Sequence, residues 1–226
     1  MSLKRKQILA VSVVVIIIAV GFIVVYSQGY LNNESINRLS RVACLGDSIT
    51  QITGYPADLQ ALLGKGSAVG NFGASGSTVN FESGNSYFYD VEFRHALLFE
   101  PTIVIIMLGT NDAKTNVYQE VKYFEVDYEI IIRSIQVTIS NPRVFLVEPP
   151  PIFNNTLGLN STDFAQGIIP RIQEVANYTG LPLINLYTPL LNHPEYFPDG
   201  VHPNSEGAQI IAETIYKAIA SKSASS

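Results

Sequence analysis

The stretch 102-TIVIIML-108 decides the fold. It is continuously apolar, mostly β-branched, introduced by Pro101, and shows no polar alternation, so it reads as a strand buried on both faces. Such strands belong to parallel sheets covered by helices on either side. Working outward, weaker runs of the same kind stand at 41-RVACL-45, 67-SAVGNF-72, 143-RVFLVE-148 (closed by three prolines) and 181-LPLINL-186. Helical patterns fall between them at 55–64 with Gly64 as the stop, 87–98, 120–139 and 163–178, and a last one runs from Asn204, the expected N-cap, to 222. Alternation of this sort predicts an α/β fold: a flavodoxin-like three-layer α/β/α sandwich around a five-stranded parallel sheet in the order 2-1-3-4-5. Ligands in such sheets bind beyond the carboxyl ends of the strands, where the order reverses between strands 1 and 3.

Four polar blocks fall at that edge. They are 46-GDSIT-50 after strand 1, 71-NFGASGST-78 after strand 2, 108-LGTND-112 after strand 3 and 198-PDGVHPN-204 before the last helix. Each alone is an ordinary turn, because Asp and Asn bond their own backbone and Gly relaxes it. Together they hold the parts of a nucleophilic site. Ser48 needs a base, and His202 supplies an imidazole. Asp199, three residues earlier, can hold the other ring nitrogen. The Ser48 and Gly76 amides and the Asn111 side chain are candidate donors to a developing oxyanion. Asp47 and Asp112 flank Ser48 and Asn111 and are given supporting roles. His95, inside a helical pattern, and His193, before a proline, are weaker rivals for the base.

The chain has 226 residues and a formal net charge of −5. Its Lys and Arg are scattered beyond the N-terminus, which excludes the basic footprint of a nucleic-acid binder. Cys44 is the single cysteine, excludes an internal disulfide, and reads as a small buried hydrophobe. At the N-terminus Lys4, Arg5 and Lys6 precede the apolar run 8–26, about 28 Å long as a helix against a hydrocarbon core of roughly 30 Å. The expectation is a signal anchor over 1–29, a linker over 30–40, a catalytic domain over 41–222 and a disordered tail over 223–226. The N-terminus would be cytoplasmic and the domain extracytoplasmic, membrane-bound through that helix, or secreted if the segment is cleaved as a signal. Sequons at Asn33, Asn154, Asn160 and Asn177 agree with that side of the membrane.

The four blocks, in this order over residues 41 to 221, resemble the SGNH hydrolase superfamily, the GDSL-type esterases and lipases. The resemblance makes Ser48, Gly76, Asn111 and His202 the four name-giving residues and adds Asp199 as the third member of the triad. Gln51 and Ile52 stand where relatives often carry glycine. The segments "GYPADLQALLG", "VIIMLGTND", "VEPPPIF" and "HPEYFPDGVHPN" look like the carbohydrate-esterase branch of acetylxylan esterases and sialate O-acetylesterases. That branch implies removal of acetyl groups from sugar hydroxyls through an acetyl-serine, with no metal and no cofactor. The partner is then a small-molecule or oligosaccharide O-acyl ester; nothing indicates an oligomeric state. Segments 77–90 and 149–162 are expected to form the rim, with Tyr87, Phe88, Tyr89 and Phe153 as candidates for stacking on sugars. Four readings compete: a lysophospholipase or thioesterase with the same triad, a sugar O-acetyltransferase, a non-catalytic glycan-binding domain, and a metallohydrolase built on Asp47, Asp112, Asp199 and His202. Intact Ser48, His202 and Asp199 weigh against the third, and scarce histidine against the fourth.

Overall fold

In the computed structural model, residues 40–118 and 121–221 are described, and the sheet is built on β3 (Ile103–Met107), which is buried throughout. Ile103, Ile105 and Met107 belong to one core, Val104 and Ile106 to the other. Alternate side chains of an extended chain point to opposite faces, so one unbroken apolar run serves two cores. β1 (Ser40–Gly46), β2 (Ser67–Gly73), β4 (Arg143–Glu148) and β5 (Leu183–Asn185) run parallel to it in the order β2-β1-β3-β4-β5. The expected topology is observed, with the reversal between β1 and β3.

The main α-helices are α1 (Ser48–Ile52), α2 (Tyr55–Leu63), α3 (Val91–Leu98), α4 (Phe124–Thr138), α5 (Ile169–Thr179) and α6 (Ser205–Ser221). Phe93 of α3, Phe124, Tyr128, Ile131 and Ile135 of α4 and Ile172 and Val175 of α5 cover the Val104 face. Leu59 of α2 and Ala208, Ile211, Ala212, Ile215 and Ile219 of α6 cover the Ile105 face. The α6 residues recur at the helical period, and each fully buried Ile contributes roughly 1.5–3 kcal/mol. Asn204 caps α6 as expected, accepting from the Gly207 amide at 3.0 Å.

The helix expected over 120–139 starts only at Phe124, after a 3-10 turn at Val121–Tyr123, and two others differ more from their sequence patterns. The 87–98 pattern divides into a 3-10 turn at Tyr87–Tyr89 and α3, because Asp90 accepts from the Glu92 amide and starts the helix there. The 163–178 pattern begins as a turn at Ser161–Asp163 capped by Asn160 and passes through π-helical Phe164–Ile168 before α5. Pro170 follows in the first turn of α5; it has no amide hydrogen, so the backbone ladder resets beside it.

The membrane helix expected as part of this fold is corrected. The predicted span, 8–26, lies outside the described residues, as do Asn33, the linker before residue 40 and the tail 223–226. Among the described residues no helix is long and apolar enough to cross a membrane. The longest, α6, has 17 residues and carries Glu206, Gln209, Glu213 and Lys217 off its core-facing stripe, whereas a span needs about 20 apolar positions. Membrane attachment, and the cytoplasmic and extracytoplasmic sides assigned from it, are withdrawn.

Candidate active site

β1 ends at Gly46, where close packing sets the geometry. A Cβ there would lie 2.1 Å from Thr50 Oγ1 and 2.7 Å from the Met107 carbonyl. Only glycine lets the chain turn so tightly against β3. Asp47 follows as the N-cap of α1, its carboxylate accepting from the Ile49 amide at 2.9 Å. Ser48 is the first residue of that short helix, half-buried at the sheet's carboxyl edge. The sequence pattern puts Ser48 at a turn; the structure adds the helix.

The loop before α6 brings His202 to Ser48. His202 Nε2 lies 2.8 Å from Ser48 Oγ, across 154 positions of chain. His202 Nδ1 lies 2.6 Å from Asp199 Oδ2. An ionised Asp199 only accepts, so Nδ1 carries the proton and donates to it, which leaves Nε2 to accept from the Ser48 hydroxyl. Asp199 Oδ1 also accepts from the amides of Val201 at 2.9 Å and His202 at 2.7 Å. Partial burial alone would raise this carboxyl; the donors from the His202 ring, the His202 amide and the Val201 amide outweigh it and hold Asp199 below the ordinary carboxylate range.

Gly76 and Asn111 arrive from the neighbouring loops. Gly76 has φ +80°, a conformation that favours glycine, in the loop after β2. Asn111 is buried, and its Nδ2 donates one hydrogen to the Ser77 carbonyl at 3.1 Å. That bond orients the amide and leaves its second hydrogen for a ligand. Ser48, Gly76, Asn111 and His202 all line one cleft of about 270 Å³, with Ile52, Ser75, Lys114, Leu157, Leu159 and Val201.

Asp47 and Asp112 do not line it. Asp112 is fully buried and accepts from the amides of Val79 and Asn80, both at 2.9 Å. It clamps the segment after the Gly76 loop to the turn that bears Asn111. Burial raises both carboxyls, Asp47 to about 6 and Asp112 to about 7, and the charge of Asp47 adds to the rise at Asp112. Asp47 Oδ2 and Thr110 Oγ1 are buried neighbours that do not complete a well-formed hydrogen bond. Among the described residues no cluster of three or more His, Cys, Asp and Glu converges as metal ligands would.

The rim differs in part from expectation. Segment 149–162 contributes Leu157 and Leu159. None of the four aromatic candidates lines the cleft: Tyr87 is buried with its hydroxyl bonded to the Phe72 carbonyl, Phe88 stacks on Phe81, and Phe153 packs on Phe197. Tyr89 is exposed but lies against Phe81 and Phe88. Aromatic apolar area was drawn into packing, which no local pattern distinguishes from display. His95 pairs with Glu92 on α3, and His193 pairs with Glu195 and stacks on Tyr196, both away from the cleft. Lys114 and the Gln51–Ser75 contact are not among the features expected from the sequence. Gln51 Oε1 accepts from both the Ser75 amide, at 3.2 Å, and the Ser75 hydroxyl. The spacing of Lys114, three residues past Asn111, was the available signal.

A match to the GDSL-like Lipase/Acylhydrolase family model covers residues 44–210, which includes Ser48, Gly76, Asn111, Asp199 and His202. The chain belongs to that family. It is 35% identical over 205 residues to an acetylxylan esterase of Xylanibacter ruminicola, an alignment covering 79% of this chain and 43% of the relative. The chain thus spans less than half the length of that curated relative. A solved acetyl xylan esterase matches with a TM-score of 0.63 and 25% identity, covering 79% of this chain and 99% of that one. A carbohydrate acetylesterase from Sinorhizobium meliloti shares the fold, with a TM-score of 0.65 at 18% identity over 80% of this chain and 99% of its own. The resemblance to SGNH-type ester hydrolases, and to their carbohydrate-esterase branch, is borne out at the level of family.

Proposed function

We propose that this family member is a serine esterase removing acetyl groups from carbohydrate hydroxyls, with Ser48, His202 and Asp199 as its triad. The observation that carries the proposal is the continuous chain Asp199–His202–Ser48, with contacts of 2.6 and 2.8 Å. Similarity to acetylxylan esterases supports the acetyl and carbohydrate parts. In this reading Ser48 Oγ attacks the acetyl carbonyl carbon and passes its proton to His202 Nε2. Asp199 keeps the ring oriented and stabilises the imidazolium. The Ser48 and Gly76 amides and the free Nδ2 hydrogen of Asn111 receive the oxyanion. Collapse breaks the bond to the sugar oxygen, which leaves with the proton from His202. Water then gives its proton to His202 and attacks acetyl-Ser48, releasing acetate and restoring the serine.

A second reading, a lipid acyl hydrolase with the same triad, is favoured by Ile52 and Leu157, which line the cleft while remaining 62% and 43% exposed. One assay separates the two: acetate release from acetylated xylo-oligosaccharides, alongside nitrophenyl esters of increasing chain length. The expected result is activity falling with acyl length and lost by about 10⁴ or more in Ser48→Ala. Preference for long chains transfers the assignment to lipid. Activity that survives Ser48→Ala removes the serine mechanism altogether.

A further inference from the structure

Within the cleft stands a cation that the acetyl-transfer steps leave unused. Lys114 is half-buried, lines the cleft with Ser48, Asn111 and His202, and has its Nζ 3.9 Å from the point a Gly76 Cβ would occupy. Lys, Arg, Asp and Glu are otherwise absent from the described lining. Among the described residues its ammonium makes no ion pair and no hydrogen bond, in a chain of net charge −5. The main chain that carries it is nonetheless firmly placed. Its amide donates to the Asn111 carbonyl, its carbonyl accepts from the Val117 and Tyr118 amides, and it bridges Leu159 of the opposite rim. A partly desolvated ammonium without a counter-ion is unfavourable, and an anionic ligand relieves it. The reaction's own oxyanion has little call on it, because the proposed mechanism already assigns it three donors from residues lining the same cleft.

We infer that Lys114 forms an anion subsite beside Ser48, and that the preferred substrates are acetyl esters of sugars bearing a carboxylate close to the acetylated hydroxyl. This inference rests on the acetylesterase reading and narrows its substrate class. The sugar carboxylate takes hydrogen bonds from Nζ while the acetyl group occupies the space at Ser48, and an uncharged xylose unit leaves the ammonium unsatisfied. A charge-assisted contact of this kind shifts relative kcat/KM by about tenfold or more. It also weakens with salt, since the cleft is open to solvent.

The test compares acetylated galacturonate oligosaccharides with acetylated xylo-oligosaccharides, using the full chain, its Lys114→Met and its Lys114→Arg forms. The expected wild-type ratio of kcat/KM favours the galacturonate by about tenfold or more at low salt. It falls toward unity in Lys114→Met and is largely kept in Lys114→Arg. A wild-type ratio near one, or a ratio that Lys114→Met leaves unchanged, overturns the subsite while leaving the esterase reading intact. Inactivity on every acetyl ester defeats the esterase reading instead. Equilibrium binding of galacturonate oligosaccharide to Ser48→Ala and to Ser48→Ala/Lys114→Met then decides the subsite, and binding that is absent or independent of Lys114 overturns it.

Discussion

Gln51 shows how much of a site is carried by residues that never touch the reacting atoms. It lies one helical turn after Ser48, is exposed, and gives its side-chain oxygen to both donors of Ser75, the residue before Gly76. Its own carbonyl accepts from Asn71 at 3.2 Å. The α1 turn that bears Ser48, the proposed nucleophile, is thereby tied to the loop that bears Gly76, a proposed oxyanion donor. Removing such a donor costs about 10²–10³ in turnover; loosening it should cost less, and we expect Gln51→Ala to lower kcat by about tenfold. KM should stay within about twofold, because the bond bears on the transition state rather than on ground-state binding. Melting temperature should barely move, since exposed hydrogen bonds contribute on the order of 1 kcal/mol or less. Steady-state kinetics and thermal melts of Gln51→Ala and Gln51→Glu check this; a kcat equal to wild type, or a loss that tracks unfolding, removes the role. Ser48, His202, Asp199, Gly76 and Asn111 were legible in the sequence because each follows or precedes a recognisable element. Gln51 was visible only as a departure from the family pattern, since its partner stands 24 positions away.

At the scale of elements, the site depends on loops that brace one another. Gly200 has φ +82°, and a Cβ there would lie 2.2 Å from the Asn154 carbonyl oxygen. The Phe153 amide donates to the Gly200 carbonyl at 2.7 Å, so the loop carrying Asp199 and His202 is locked to the rim loop after β4. Gly200→Ala combines backbone strain with a collision against main chain. The expected loss is about 1–3 kcal/mol of stability, together with a fall in kcat as His202 moves off Ser48. Calorimetry and kinetics of this variant measure both, and an alanine form with wild-type melting and turnover rejects the bracing. Strands and most helices were legible at this scale because hydrophobic period is a local property. The π-helical turn at Phe164–Ile168, the short helix at Ser48 and the division of the 87–98 pattern were not. They arise from caps, a proline and tertiary contacts, each too short to alter a periodic signal.

At the scale of the whole molecule, two cores enclose a sheet whose carboxyl edge buries charge. Asp112 is the clearest case: its carboxyl is raised from 3.8 to about 7 by burial, against the two amides that favour its ionised form. A folded acid that titrates higher than its unfolded counterpart binds more protons across that interval, so it makes stability fall as pH rises from about 4 to 7. Asp112→Asn should flatten this part of the profile, the variant's melting temperature gaining on wild type between pH 4 and 7. Parallel profiles in a pH-scanned melt reject the assignment. By itself the sequence determined the architecture, since unbroken apolar strands with helical patterns between them leave few ways to cover both faces of a sheet. It determined, too, which loops meet at the reversal between β1 and β3. Only the tertiary structure decided what lines the cleft, turning the aromatic residues of 77–90 into packing and setting Lys114, Ile52, Leu157 and Leu159 around Ser48. Periodicity reports which face of an element is buried, whereas a cleft is assembled from loop ends far apart in the chain. Their meeting depends on distances that no local pattern encodes.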